Sequence, residues 1–115
     1  MISFKQWKKK PSGATPLLNK IRKKIRSIVP NADIVLYGSR VRGEAGKYSD
    51  WDILILVDQV VKNDLIVKLR DSLYDIELES DEILSAIIRS KQDWNSLRYS
   101  VLPFRRIVEQ EGVLL

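Results

Sequence analysis

The sequence predicts an α/β (α+β) domain in which about four strands form a mixed sheet, with helices packed mainly on one face. Two observations support this fold class. Apolar, β-branched runs typical of buried strands alternate along the chain with segments whose apolar residues recur at helical spacing. The length of 115 residues suits a single domain, 1–115, and an apolar fraction of 44% is enough for one hydrophobic core.

The first half of the chain contains two helices and two strands. Thr15 followed by Pro16 is a typical helix start, and apolar residues then recur at helical spacing until Pro30 ends the helix. Gly38 and Gly46 allow the chain to turn on either side of a short helix. The predicted elements are a helix at 16–29, a strand at 33–38, a short helix at 40–45 and a strand at 50–57.

The second half predicts two further strands and three helices. Tyr74, Ile76 and Leu78 alternate with acidic residues, which is typical of a half-buried strand with an acidic outer face. The predicted elements are a helix at 62–73, strands at 73–79 and 83–90, a helix from 90 to about 99 and a helix at 103–111. We assign residues 17–90 to the core of the domain and 91–111 to C-terminal helices.

Cysteine and histidine are both absent, which excludes several classes of chemistry. Disulfides, thiolate metal sites, imidazole bases and the usual zinc sites cannot form. Any bound metal is then a hard cation held by carboxylates, which points to Mg²⁺ or Mn²⁺. No apolar run is long enough to span a membrane and the N-terminus lacks a secretory signal, so we expect a cytoplasmic protein without a membrane partner.

Asp50 and Asp52 stand two residues apart at the start of the second predicted strand. Residues at this spacing point to the same side of a strand, about 6.6 Å apart along the chain, so both carboxylates face one polar space. Such a pair is costly unless a cation lies between them, and a divalent metal meets that need. The acidic face of 73–79 can supply a third ligand; we prefer Asp75, and Glu77 is the alternative.

Gly38 and Ser39 follow the first predicted strand and open the short helix. A glycine at this point lets a ligand approach the backbone closely, and the helix start offers free N–H groups to an anion. The Ser39 hydroxyl can add a hydrogen bond to a phosphate, and Arg40 or Arg42 can reach a polyphosphate. A phosphate cradle facing a metal site is the arrangement that nucleotidyl transfer needs.

The stretch "GSRVRGEAGKYSDWDILILV" (38–57) resembles the signature of the nucleotidyltransferases related to DNA polymerase β, in particular the minimal nucleotidyltransferases, or MNT proteins. The match runs through Gly38, Ser39, Arg42, Gly43, Ser49, Asp50 and Asp52. Val41 stands where the family commonly has alanine. The resemblance implies the polymerase β-like fold and a third carboxylate within a strand of the pattern h-D-h-x-h, where h is apolar. The segment "YDIEL" (74–78) fits that pattern and puts the third carboxylate at Asp75.

The resemblance also implies an activity and partners. Family members use Mg²⁺ to transfer a nucleoside monophosphate from a nucleoside triphosphate, for which we expect ATP, to a hydroxyl of a protein or small-molecule acceptor. Many MNT proteins are antitoxins of HEPN-type toxins and act by binding the toxin or by adenylylating it. A HEPN-like partner or a homodimer would complete the site, since one small domain leaves no room for an acceptor-binding domain.

The net charge of +5, concentrated toward the N-terminus, also suits an anionic ligand. A nucleic-acid-binding module is therefore a further alternative. It is the weakest of the three, because the basic residues lack the interleaved aromatic side chains of a single-strand binder.

Overall fold

A five-stranded mixed sheet forms the centre of the protein, and it confirms the predicted fold class. The computed structural model describes residues 1–115. In chain order the elements are β1 (Ile2–Ser3), α1 (Thr15–Ile28), β2 (Asp33–Tyr37), α2 (Ser39–Arg42), β3 (Trp51–Val57), α3 (Asn63–Ser80), β4 (Leu84–Ser90), α4 (Lys91–Trp94), α5 (Leu97–Ser100), α6 (Pro103–Glu111) and β5 (Val113–Leu114). No helix combines the length and apolar character needed to span a membrane.

The strand order is β1-β5-β2-β3-β4, so β3 lies between β2 and the edge strand β4. β2 and β3 are antiparallel, with Tyr37 opposite Asp52. β3 and β4 are parallel, with Asp52 beside Ser85. The two short strands at the chain ends, β1 and β5, pair with each other and add to the β2 edge. The start of β3 is therefore flanked by the end of β2 and the start of β4.

The side chains of β3 alternate between two hydrophobic clusters, one on each face of the sheet. Trp51, Ile53, Ile55 and Val57 pack in the larger cluster with the long helices α1 and α3. Leu54 and Leu56 pack in the smaller cluster with Trp94, Val108 and neighbouring residues of the C-terminal helices. The two long helices thus share one face, as predicted, while the short C-terminal helices cover the other. Asp52 alternates with Trp51 and Ile53, so it lies on the face of the C-terminal helices.

The predicted strand at 73–79 is wrong, because α3 continues without a break from Asn63 to Ser80. No glycine or proline interrupts this stretch. Leu65, Leu69, Leu73 and Ile76 recur at helical spacing and are all buried against the sheet, whereas Tyr74 and Leu78 are exposed. Of the three alternating apolar residues only Ile76 belongs to the buried helical stripe, and burial of that stripe decides between the two periodicities.

Ile76 and Leu78 distinguish the helix from a strand, because a strand would bury both and the helix buries only Ile76. Ile76 is 3% exposed and Leu78 is 64% exposed. We expect Ile76→Ala to lower the free energy of unfolding by about 2–4 kcal/mol. The matched variant Leu78→Ala should change it by less than about 0.5 kcal/mol. Urea unfolding of both variants measures this difference, and equal losses would contradict the helix.

Candidate functional site

Gly38 connects β2 to α2 in a backbone conformation that only glycine adopts without strain. Its φ is +85° and its ψ is −162°. A Cβ atom at this position would lie 2.2 Å from Oδ2 of Asp52. The missing side chain therefore makes room for the Asp52 carboxylate, which lies directly against the start of α2. The sequence predicts that a ligand approaches the backbone closely at Gly38. In the structure, the group that lies against Gly38 is the carboxylate of Asp52.

Asp50 and Asp52 form a pair of carboxylates without a protein cation of their own. Asp52 is half-buried and Asp50 is exposed. The seven ion pairs of the chain include neither of them. Burial raises the pKa of Asp52 above the ordinary range, and the negative charges of Asp50 and Glu111 add to this, whereas Arg42 opposes it. The start of β3 thus carries excess negative charge that a cation would compensate.

Arg42 lies on α2 and faces the same space as the aspartates. Its guanidinium binds Glu111, at 2.9 Å from Nη1 to Oε2, and binds Glu44 through Nε at 3.0 Å. These two carboxylates raise the pKa of Arg42 further, Glu44 more than Glu111, so it is charged at any working pH. Arg42 is also 41% exposed, which leaves its outer edge accessible to a ligand.

Arg40 has a structural role on the other side of α2. It donates to the carbonyl of Ser49 through Nε and Nη2, at 3.1 and 2.7 Å, and pairs with Glu82. Its guanidinium also lies 4.9 Å from the centre of the Trp51 ring. Trp51 is 2% exposed and packs under the long helices. Arg40 therefore fixes the loop that leads into Asp50, and of the two arginines Arg42 is the one available to a phosphate.

The segment before the aspartates ends in a turn that the sequence itself stabilises. The backbone N–H of Gly46 donates to the Ser49 hydroxyl at 2.9 Å, and the N–H of Ser49 donates back to the Gly46 carbonyl at 3.2 Å. Together with Arg40, this turn sets where the chain enters β3. Ser39, which begins α2, is half-buried at the opposite end of the same segment. The chain thus places Gly38 against Asp52, and Ser39, Arg42 and Asp50 lie on the segments that flank this contact, while their roles in binding stay predictions.

Glu111, at the end of α6, belongs to this site and was missed by sequence reasoning. Its Oε2 accepts the backbone N–H of Gly38 at 2.6 Å, and both of its oxygens accept from Nη1 of Arg42. The contact joins residues 73 positions apart, so local patterns do not reveal it. The available signal is Gly112, where a Cβ would lie 2.4 Å from the Val108 carbonyl and 2.9 Å from the Val35 side chain. That tight packing holds the end of α6 against β2, next to Gly38.

Asp75 and Glu77 do not reach the aspartates, so the structure does not support either as the third carboxylate. Both lie on α3, which packs on the sheet face opposite Asp52, and Asp75 is exposed to solvent. Glu77 accepts the backbone N–H of Leu84 at 2.9 Å and so connects α3 to the start of β4.

The strand next to β3 is instead β4, and the segment "LSAII" (84–88) fits the h-D-h-x-h pattern with Ser85 in place of the acid. No group of three acidic residues in the protein is arranged to hold a metal ion.

Removing the Glu111 carboxylate tests its place in the site. Glu111→Ala leaves the Gly38 N–H without its acceptor and Arg42 with Glu44 as its one remaining carboxylate partner, so we expect a loss of about 1–2 kcal/mol in the free energy of unfolding. Glu109→Ala is the matched control on the same helix, because Glu109 is 45% exposed and its pair with Arg105 contributes less than about 0.5 kcal/mol. Denaturant unfolding of the two variants gives the comparison, and equal effects would remove Glu111 from the site.

The sequence and the structure of this chain are similar to those of known proteins. The model of the nucleotidyltransferase domain family matches residues 18–113. A crystal structure of a toxin–antitoxin with AMP-PNP superposes with a TM-score of 0.60 and 25% identity, over 84% of this chain and 69% of that chain. Another match is the Cid1 poly(U) polymerase with MgGTP bound, with a TM-score of 0.45 and 32% identity over 64% of this chain and 22% of that one. No curated protein sequence matches significantly. The resemblance read from residues 38–57 is confirmed, and the chain belongs to the nucleotidyltransferase domain family.

Proposed function

We propose that this protein transfers a nucleoside monophosphate from a nucleoside triphosphate to a hydroxyl group of a protein or small-molecule acceptor, and that it depends on Mg²⁺. The observation that carries the proposal is the contact between Gly38 and Asp52. It brings the Asp52 carboxylate directly beside a short helix that carries Ser39 and Arg42. We infer ATP as the nucleotide, and the AMP-PNP in the similar toxin–antitoxin structure supports that choice.

Asp50 and Asp52 are the residues that would hold the divalent cation. They fit that role because they are oxygen ligands, they form no ion pair, and burial together with mutual repulsion raises the pKa of Asp52. When bound, Mg²⁺ would supply positive charge at the reacting phosphate and at the leaving pyrophosphate. Mn²⁺ has the same ligand preference and would substitute for it.

Ser39 and Arg42 are the residues that would hold the phosphate groups of the nucleotide. The Ser39 hydroxyl can donate to a phosphate oxygen, and the exposed edge of the Arg42 guanidinium can donate to another. Glu111 keeps the Arg42 side chain on the side of the aspartates. These residues orient the triphosphate, and such orientation is a large part of what a protein contributes to phosphoryl-group chemistry.

Asp52→Asn tests the proposal in two ways, beginning with stability. Because the pKa of Asp52 is raised in the folded protein, the cation-free parent loses stability as pH rises through that pKa and regains it as pH falls. The variant lacks this penalty, so we expect it to be more stable than the parent at neutral pH in EDTA. With Mg²⁺ and AMP-PNP at about 100 times the dissociation constant of the parent, the parent should gain about 2.7 kcal/mol and the variant about 1.4 kcal/mol or less.

Label transfer is the second measurement for the same variant. The parent is incubated with each labelled nucleoside triphosphate, Mg²⁺ and candidate hydroxyl acceptors, and we expect Asp52→Asn to lower transfer by about 100-fold or more. Asp58→Asn is the control, since Asp58 follows the opposite end of β3 and is 57% exposed. Equal transfer by parent and Asp52→Asn would contradict the proposed activity.

A second candidate function is that of an antitoxin, which would neutralise a HEPN-like toxin by binding it or by adenylylating it. The structural similarity to a toxin–antitoxin supports it. So do four exposed apolar side chains on and beside α5 and α6, those of Leu97, Val101, Leu102 and Ile107. Exposed apolar groups of this kind are typical of protein–protein contacts. Asp52→Asn separates the two modes: an antitoxin that acts by binding still rescues cells from the co-expressed toxin, and one that acts by transfer does not.

A further inference from the structure

We propose that this site binds one divalent cation with the nucleotide, rather than two, because Ser85 occupies the position next to Asp52 on β4. The inference rests on the proposed function, since it concerns the cation that accompanies the nucleotide. Two-metal sites need carboxylates that bridge two ions about 3.5–4 Å apart, and usually a third acidic ligand beside the bridging pair. Four elements border the start of β3 and could supply that ligand.

β4 supplies a neutral residue. In the parallel pairing of β3 with β4, Asp52 is in register with Ser85, and side chains in register point to the same face. Adjacent strands lie about 4.8 Å apart, so an acid at position 85 would stand directly beside the Asp52 carboxylate. Ser85 is exposed, which places its hydroxyl at the open side of the site. A hydroxyl carries no charge to hold a second cation.

β2 and α2 supply no acid either. Tyr37 is opposite Asp52 in the antiparallel pairing, and its phenol is not an acidic ligand, so β2 adds no negative charge. α2 presents Arg42, which is a cation and repels a metal ion. The side of the site formed by these two elements is thus neutral or positive.

α6 supplies Glu111, whose carboxylate is already engaged. Both of its oxygens accept from Arg42, and Oε2 also accepts from the Gly38 N–H. Other acids near the strand starts are similarly committed on the opposite face: Glu82 binds Arg40 and the Trp51 indole, and Glu77 binds the Leu84 N–H. Asp50 and Asp52 are therefore the free carboxylates here. One or two carboxylates together with substrate phosphates and water are the usual ligands of a single Mg²⁺.

Counting bound Mn²⁺ tests the inference without relying on activity. The full chain is dialysed to equilibrium against saturating Mn²⁺ and AMP-PNP, and the excess of each on the protein side is measured, Mn²⁺ by electron paramagnetic resonance after acid release. We expect one bound Mn²⁺ per nucleotide-loaded parent chain and at least tenfold weaker binding in Asp52→Asn. Ser85→Asp should bind two, because it adds the missing carboxylate beside Asp52. Ser85→Asn has the same shape without the charge and should bind one.

The outcomes separate this inference from the proposed function. Two Mn²⁺ ions on the parent, or a single ion on a folded Ser85→Asp, would overturn the inference and leave the proposed function intact. If the parent binds neither Mn²⁺ nor AMP-PNP, the result would contradict the proposed function itself. Circular dichroism establishes whether Ser85→Asp is folded. If it is not, the parent count decides between one ion and two.

Discussion

The contact between Gly38 and the Asp52 carboxylate is the constraint on which the site depends. It requires a residue without a side chain, in a backbone conformation of positive φ, at the point where β2 gives way to α2. As a result, the Asp52 carboxylate lies beside the start of α2. The neighbouring features all serve this arrangement: Arg40 and the turn at 46–49 fix the entry into β3, and Glu111 holds the Gly38 backbone from the other side.

The charged side chains of the site fall into two sets, one joined by ion pairs and one without ion pairs. Arg42 is paired with both Glu44 and Glu111, so this set is well hydrogen-bonded, although its two negative charges outnumber its one positive charge. Asp50 and Asp52 form no ion pair, and burial, followed by the charge of Asp50, raises the pKa of Asp52. The unpaired negative charge of Asp50 and Asp52 lowers stability in the free protein, and a bound cation would relieve this cost. Binding and stability are therefore linked at this position, which is why a single carboxylate-to-amide change reports on both.

Sequence alone predicted the fold class and both strands that carry the site, because these features depend on local spacing, while the roles of the residues at 38, 39, 42, 50 and 52 stay predictions. It failed where two periodicities overlap: residues 73–79 satisfy both a strand alternation and a helical stripe, and only the burial of Leu73 and Ile76 decides between them. Because of that error, Asp75 was predicted as a site residue and Ser85, which is the residue beside Asp52, was overlooked. Glu111 could not be found, because its position depends on how α6 packs against β2. Patterns of neighbouring residues in the sequence do not contain information about packing between elements that are far apart in the chain.

The affinity of the Gly38→Ala variant for AMP-PNP with Mg²⁺ tests the central claim most directly. Gly13→Ala is the matched control, since Gly13 also has a positive φ, of +78°, but has no atom within 4 Å of a Cβ. Both variants should lose stability, by about 1 kcal/mol for Gly13→Ala and about 3 kcal/mol for Gly38→Ala. At temperatures where both are folded, we expect Gly38→Ala alone to bind the nucleotide at least tenfold more weakly than the parent. Parent-like affinity in folded Gly38→Ala would contradict the claim that this contact builds the site.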